Sequence, residues 1–370
     1  MSDQIIVVSS LNSISPGNYI IESFEKKGFE VIAISDVSHP KARLVKFGSV
    51  DIAKYVIENK LKPRFLLFVE GGEMGVFPIN LGNLEFPTYW WGIDTHNDYE
   101  KHYNICQLFD HSFIAQKKYV EQLIEDGIAS ASWLPLAFPL QNIKSTYRDI
   151  DISYVGSLDW NLYPERHALI QALKSLGFNN YFGTCKPSEM FKIYSKSKIV
   201  FNYSLKNDLN MRIFEAMGSG ALLVTNVIYD NGLEDLFENG KDFLIYRNSQ
   251  ELISIVSTQL NNPELCSKIA KSGNEIIMAK HTYEKRAENI LQMLSNTLSK
   301  NYNNDYEILV LMQMGLYSDC LKTYMENLIY SVKGKRNRLI ITAIRPLFRF
   351  IVIIAKSIES FTNKNRLNRW

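Results

Sequence analysis

Residues 210–225 read NMRIFEAMGSGALLVT, and this stretch joins a predicted helix to a predicted strand through two glycines. Its apolar residues recur at helical spacing on one face, which leaves Arg212 and Glu215 together on the other side. Gly218 and Gly220 end the helix and allow close approach of the backbone, and the apolar run that follows is typical of a buried strand. A helix that leads into a buried strand in this way indicates an α/β fold.

The same stretch carries side chains that suit a phosphorylated ligand. Arg212 can pair with a phosphate, and Glu215 can accept hydrogen bonds from the two hydroxyl groups of a ribose. The alternative is an ordinary helix with a solvated Arg–Glu pair and a glycine cap. Residue chemistry alone leaves both interpretations open.

The composition is that of a folded protein with room for two domains. The chain has 370 residues, of which 46% are hydrophobic and 12% aromatic, so each domain can bury its own core. The N-terminus lacks a basic region and its first apolar run is short, so export by a signal sequence is not expected. The cysteines show no metal-ligand spacing, which predicts free thiols in a reducing compartment; they are Cys106, Cys185, Cys266 and Cys320.

Short apolar strands alternate with amphipathic helices along most of the chain, which predicts parallel sheets. The polar stretch 140–149 interrupts the alternation, and the pattern then starts again. We therefore predict two Rossmann-like, doubly wound domains, 1–143 and 144–298, that face each other across a ligand cleft at the carboxyl ends of their strands. A helical extension (299–332) and a basic tail (333–370) follow. The predicted strands are 5–8, 31–34, 65–69, 88–91, 112–115 and 132–134, then 152–155, 198–202 and 221–225.

Asp94 and His96 follow a Trp-rich strand, at the edge of the sheet from which side chains project into such a cleft. If the ligand in the cleft transfers a group to a hydroxyl, a base has to take the proton of that hydroxyl. Asp94, ahead of His96, suits this role. The alternative is that Asp94 caps a helix over residues 97–102 and that His96 is only a polar neighbour. Residues 70–73, from Glu70 to Glu73, also end a strand; one interpretation is that they line the acceptor side, and a plain turn is the simpler one.

Metal and nicotinamide sites are not indicated by the sequence. No Asp-x-Asp pair follows a strand and no His/Cys cluster is present, so we expect no metal. The glycines that follow the predicted strands do not form a GxGxxG fingerprint, which argues against a nicotinamide enzyme.

Several short motifs in both predicted domains occur together in one known family. In the second domain they are 154–157, Asn202, 210–216, 218–225, Gly232, Leu233, Leu236, Phe237, 281–283, Arg286 and Ala287; in the first they are 90–96, 109–111, 115–117 and 133–136. No single motif is specific, but their combination is. Over roughly residues 65–295 the chain therefore resembles the GT-B glycosyltransferases, and more narrowly the CgeB-like (spore-maturation type) group.

This resemblance implies a nucleotide-sugar donor bound by the second domain, with no further cofactor. It implies that Glu215 holds the ribose, that the Gly218-Ser219-Gly220 turn lies beside the diphosphate, and that Gly156, Ser157 and Asn210 line the donor site. Arg212 is the first candidate for balancing charge on the leaving diphosphate, and Arg166 is the second. Many retaining members carry another glutamate eight residues before the first, where this chain has Asn207, so retention of configuration is not implied.

The basic tail predicts an anionic partner. Residues 333–370 hold ten bases and one acid, while the whole chain carries +2, so the remaining residues carry −7 and a nucleic-acid partner is not expected. On a helix, Arg338, Arg345, Arg349 and Lys356 share a narrow arc and apolar residues cover the rest, which indicates binding to a membrane interface. The alternative is a helix packed on the body of the protein, and a true membrane span is disfavoured by these bases.

Together these features predict a cytoplasmic glycosyltransferase that lies on the inner face of a bacterial membrane. Its acceptor would be a glycan, a lipid-linked sugar or a protein in surface glycan synthesis. A sugar-nucleotide epimerase of the same fold and a non-catalytic glycan-assembly partner are the alternatives.

Overall fold

The computed structural model describes residues 3–71, 74–140, 147–294 and 304–314. Parallel strands form the first half of this described chain: β1 (Gln4–Val8), β2 (Glu30–Ser35), β3 (Ala42–Leu44), β4 (Gly48–Asp51), β5 (Pro63–Val69), β6 (Val76–Ile79), β7 (Thr88–Gly92), β8 (His111–Ile114) and β9 (Ala131–Trp133). Seven of them build one sheet in the order β3-β2-β1-β5-β7-β8-β9, and β4 pairs with β6 separately. The helices that cover them are α1 (Pro16–Lys26), α2 (Ile52–Glu58), α3 (Tyr99–Cys106) and α4 (Lys117–Glu125).

A second parallel sheet follows, in the order β11-β10-β12-β13-β14. Its strands are β10 (Ile150–Val155), β11 (Asn180–Gly183), β12 (Ser197–Asn202), β13 (Leu222–Asn226) and β14 (Leu244–Tyr246). The helices between and after them are α5 (Pro164–Lys174), α6 (Pro187–Lys196), α7 (Met211–Gly218), α8 (Leu233–Leu236), α9 (Ser249–Asn261), α10 (Pro263–Lys280) and α11 (Tyr283–Met293), and α12 (Asn304–Gln313) comes last.

The predicted central strands are confirmed. Helices bury both faces of each sheet, which is why these strands are apolar runs in the sequence. Several shorter strands were not predicted. β3 and β11 lie at the edges of their sheets, where half of the surface is exposed and the sequence is correspondingly mixed. Burial, rather than strand propensity, made the central strands visible in the sequence.

The chain crosses between the two units twice, and the two crossing segments lie next to each other. Phe138 pairs with Thr282 as an isolated bridge, so the chain crosses between the units where it leaves the first and again where it returns after α10. On its return, α11 packs on α1 of the first unit, where Lys26 and Lys27 lie 2.8 Å from Glu284 and Glu288. The first sheet is therefore covered in part by the helix that follows the second one.

The predicted domain limits at 143/144 and 298/299 fall outside the described residues and stay predictions. Of the extension 299–332, the structure describes α12, which rests on the first unit: the amide of Asn80 donates to Glu307 and the side chain of Asn104 to Gln313. None of the helices in the described ranges is long and apolar enough to span a bilayer. The basic tail, 333–370, lies outside those ranges.

Candidate active site

Arg212 lies at the carboxyl edge of the second sheet, beside the ends of two neighbouring strands. Its Nε and Nη2 donate to the carbonyl oxygen of Val155, the last residue of β10, at 3.2 and 2.9 Å. Its Nη1 donates to Oδ1 of Asn202, the last residue of β12, at 3.0 Å. The guanidinium stacks on the Tyr154 ring, 4.4 Å from its centroid. These contacts fix the guanidinium in the predicted cleft, where parallel α/β folds bind ligands.

Arg166 converges on the same place from the start of α5. Its side chain is only 7% exposed and stacks on Tyr163 and Tyr154, with centroid distances of 3.8 and 5.4 Å. Burial lowers the pKa of this guanidinium, and the nearby charge of Arg212 lowers it further. Its Nη2 is buried without a hydrogen-bond partner among the described residues. Two cations that repel each other and keep a free donor form a site that attracts an anion.

The residues around this pair explain why small and polar side chains occur there. A Cβ on Gly156 would lie 2.6 Å from Oη of Tyr154 and 2.9 Å from Nη2 of Arg212, so only glycine fits. Asn210 precedes α7 and donates to Asn202 at 3.3 Å, while its own Oδ1 is buried without a partner within the described chain. Ser157 is exposed, and its Oγ accepts from the amide of Asp159.

Glu215 follows Arg212 by about one helical turn and is 5% exposed. Burial raises its pKa to about 7, although the charge of Arg212 acts in the opposite direction. Burial raises the pKa of the phenols of Tyr19 on α1 and Tyr283 on α11, and the charge of Glu215 raises both pKa values further, so this carboxyl lies near both helices. The sequence predicted an outward-facing Arg–Glu pair on α7; instead, the docking of the first unit buries Glu215 between the two units.

The Gly218-Ser219-Gly220 turn lies elsewhere. It ends α7 and leads into β13, so it lies at the amino edge of the sheet, and Gly218 is about 9 Å along the helix from Arg212. A Cβ on Gly218 would overlap the Phe138 ring, and the carbonyl of Ser219 accepts from Arg148 at 3.0 Å. These contacts do not support the expected place beside a diphosphate. In a parallel α/β unit the turn from helix to strand returns to the edge opposite the cleft.

Asp94 lies on the opposite wall, in the loop that follows β7. Its pKa is raised to about 7, first by burial and then by the charges of Glu70 and Asp208. The residue that caps α3 is Asp98, whose Oδ1 accepts from the amide of Lys101. The alternative role of Asp94 as a helix cap is therefore wrong.

His96 meets an acid from the second unit. Its Nδ1 lies 3.8 Å from Oδ1 of Asp208, and it is buried without a hydrogen bond among the described residues. Burial lowers the pKa of His96 and raises that of Asp208. Gln116 donates to the same Oδ1 at 2.9 Å, and Lys206 donates to Asn97 at 3.0 Å, so the loop between β12 and α7 bridges the cleft.

Asp208 was given no role in the sequence analysis. Asp208 follows Asn207, which stands where many retaining enzymes carry their second glutamate. The polar loop at the end of β12 was the available signal. Three of the predicted residues, Arg212, Arg166 and Glu215, share one wall of the cleft, whereas Asp94 and His96 share the other. No cluster of His, Cys, Asp and Glu in the described ranges could hold a metal ion.

Residues 138–292 match a family model described as glycosyl transferase-like, which is less than half of the chain. Similar solved structures include HepE from Anabaena in complex with UDP-glucose, with 14% identity, a TM-score of 0.59 and coverage of 79% of this chain and 99% of that one. A glycosyltransferase from Rickettsia africae is 12% identical, with a TM-score of 0.55 and coverage of 81% and 100%.

Sucrose-phosphate synthase from Thermosynechococcus elongatus is also similar, with 12% identity, a TM-score of 0.54 and coverage of 79% and 98%. No curated protein matches the chain significantly in sequence. At these identities the structural likeness establishes the fold and leaves the substrate open. The chain therefore has the GT-B fold of glycosyltransferases, and its residues 138–292 form a glycosyl transferase-like region.

Proposed function

We propose that this protein is a glycosyltransferase that moves a sugar from a nucleotide-sugar donor to a hydroxyl group of its acceptor. The observation that carries the proposal is the convergence of Arg212 and the buried Arg166, whose Nη2 has no hydrogen-bond partner among the described residues, at the carboxyl edge of the second sheet. A diphosphate matches this pair in charge and in hydrogen-bonding geometry. The complex of HepE with UDP-glucose makes a UDP-sugar the first donor to test.

In this proposal, one wall of the cleft binds the donor and the other activates the acceptor. The arginines hold the diphosphate and stabilise the negative charge that grows as its bond to the sugar breaks. Asp94 takes the proton from the acceptor hydroxyl as the oxygen forms its bond to the sugar. A base with a pKa near 7 is half ionised at neutral pH, which suits proton transfer in both directions of a catalytic cycle.

Glu215 gives the proposal a sharp binding test. Its carboxyl is buried, forms no hydrogen bond within the described residues and can accept from the ribose hydroxyls. We expect Glu215→Gln to weaken binding of a nucleoside diphosphate about tenfold to a hundredfold at pH 8, because one charged acceptor is lost. Calorimetry with UDP, and with inorganic pyrophosphate as the ligand without ribose, measures the effect.

Binding of pyrophosphate should be unchanged in this variant, since the arginines remain. The exposed Glu238→Gln, in the same unit, is the matched control for loss of a carboxylate. Equal affinity of the wild type and Glu215→Gln for every common nucleoside diphosphate would remove the ribose role. Conversion of a nucleotide sugar without any acceptor would instead identify an epimerase, and binding without turnover a non-catalytic partner.

The finer features of the proposal come from the sequence. We place the protein on the inner face of a bacterial membrane, in surface glycan synthesis, with a glycan, lipid-linked or protein acceptor, and nearest to the CgeB-like group. Removal of residues 333–370 should abolish co-sedimentation with vesicles that contain anionic lipid, because each base near the surface contributes about 1 kcal/mol. Neutral vesicles are the control, and undiminished binding of the truncated chain to anionic vesicles would contradict a membrane role for the tail.

A further inference from the structure

A buried carboxylate and imidazole lie directly behind the loop that carries Asp94 and His96. Glu70 follows β5 and is 2% exposed, and His102 on α3 is 1% exposed. Oε1 of Glu70 lies 3.3 Å from Nε2 of His102, and the imidazole packs edge-on against Trp90. No solvent reaches this pair, so its hydrogen bonds must all be made within the protein.

The pair holds three consecutive residues of the loop. Oε2 of Glu70 accepts from the amides of Ile93 and Asp94, at 2.6 and 3.0 Å. Nδ1 of His102 lies 3.0 Å from Oγ1 of Thr95, which is completely buried. One carboxylate and one imidazole therefore determine the path of the backbone on both sides of the Asp94 side chain.

The pair also acts on Asp94 through charge. The pKa of Glu70 falls to about 2, because the charge and hydrogen bond of His102 and the two loop amides outweigh the effect of burial. Burial raises the pKa of Asp94 most; among the charges of the described residues, those of Glu70 and Asp208 raise it further, and those of His102 and Lys101 lower it. Glu70 acts more strongly than His102, so the pair as a whole favours the protonated form of Asp94.

We propose that Glu70 and His102 are a positioning pair, which holds the loop of residues 93–96 in the cleft and tunes the carboxyl group of Asp94 electrostatically. The role given to Asp94 rests on the proposed function, whereas the effect of the pair on its titration does not. Neither residue touches the cleft, so neither is a catalytic residue.

Two substitutions separate the effect of the charge of the pair on Asp94 from its effect on the geometry of the loop. Glu70→Gln keeps an oxygen for the loop amides and can donate to a neutral His102, so the geometry is retained while the negative charge is lost. His102→Gln leaves the charge of Glu70 without its partner. We expect the pKa of Asp94 to fall by about 0.5–1 unit in Glu70→Gln and to rise in His102→Gln.

Titration of Asp94 can be measured without turnover. In each background, the melting temperature of the full chain is followed from pH 4 to pH 9 with and without Asp94→Asn. An acid whose pKa is raised on folding destabilises the protein progressively as pH rises from its unfolded-state pKa to its folded-state pKa, so Asp94→Asn gains stability relative to its parent over this range and keeps the gain above it. Because the unfolded-state pKa stays constant, the midpoint of this difference moves in the same direction as the folded-state pKa of Asp94 and by half as much.

Opposite shifts of the midpoint in the two variants would support the pair, because loss of folding cannot move one titration in two directions. Unmoved midpoints, or shifts of the same sign, would overturn it. The exposed Glu85→Gln is the control for an acid removed from the same unit. If transferase activity is found, the acidic limb of kcat/KM should move with the midpoint; if none is found, the titration result still decides the role of the pair.

Discussion

Asp94→Asn should lower kcat by about 10²- to 10⁴-fold, the usual contribution of a general base. The asparagine side chain has the same size but cannot take a proton. The amide of residue 94 still donates to Glu70, so the loop should keep its place. Initial rates with a UDP-sugar donor and calorimetry with UDP measure the two expected effects, a loss of turnover and an unchanged Kd.

The stability of this variant provides an internal check. Because burial and neighbouring acids raise the pKa of Asp94 to about 7, its ionised form destabilises the folded protein. Asp94→Asn should therefore melt higher than the wild type at pH 8 and no higher at pH 4. A slow variant that is also more stable at pH 8 cannot have lost activity by unfolding.

His96→Gln distinguishes the two candidates on this wall. The Nδ1 of the imidazole lies 3.8 Å from Asp208 across the cleft, and burial lowers the pKa of His96, which favours the neutral form; this imidazole can position the acid or an acceptor. We expect it to matter less to turnover than Asp94. If Asp94→Asn keeps the full rate and His96→Gln does not, His96 is the base. If both variants keep the full rate, neither residue is the base.

The sequence allowed the prediction of those features that depend on local pattern. The central strands are continuous apolar runs because helices bury both of their faces, and such runs can be recognised without a structure. Asp94 and Arg212 became candidates for the same reason. Each lies just after a recognisable strand or at the start of a recognisable helix, where the topology of parallel sheets places ligands.

The unpredicted features depend on how distant segments meet. Asp208 and His96 are more than a hundred residues apart in the sequence. They lie close together only because the two units dock in one orientation. Glu70 was interpreted as a turn residue because its partner, His102, is 32 residues distant on a helix that the pattern scarcely revealed. The Gly218-Ser219-Gly220 turn is a different case, since the order of helix and strand was sufficient to assign it to the opposite edge.

Arg212 is the residue on the donor wall from which we expect the largest loss. Its guanidinium is held by the carbonyl of Val155 and by Asn202, which fixes its charge at the carboxyl edge of the second sheet. Arg212→Lys preserves one positive charge but can neither reach both acceptors nor stack on Tyr154 as a planar group. We expect kcat to fall about 10²- to 10³-fold, as when a donor that stabilises developing charge is removed.

The ligand without ribose separates Arg212 from Glu215. Arg212→Lys and Arg166→Met should both weaken binding of inorganic pyrophosphate in calorimetry, whereas Glu215→Gln should not, because only the arginines face the diphosphate. Arg247→Lys, an exposed arginine paired with Glu251 in the same unit, is the matched control and should keep full activity. Full turnover in Arg212→Lys would show that any charge in the cleft suffices. Unchanged pyrophosphate binding in both arginine variants would mean that the diphosphate binds elsewhere, since these two cations carry the proposed donor site.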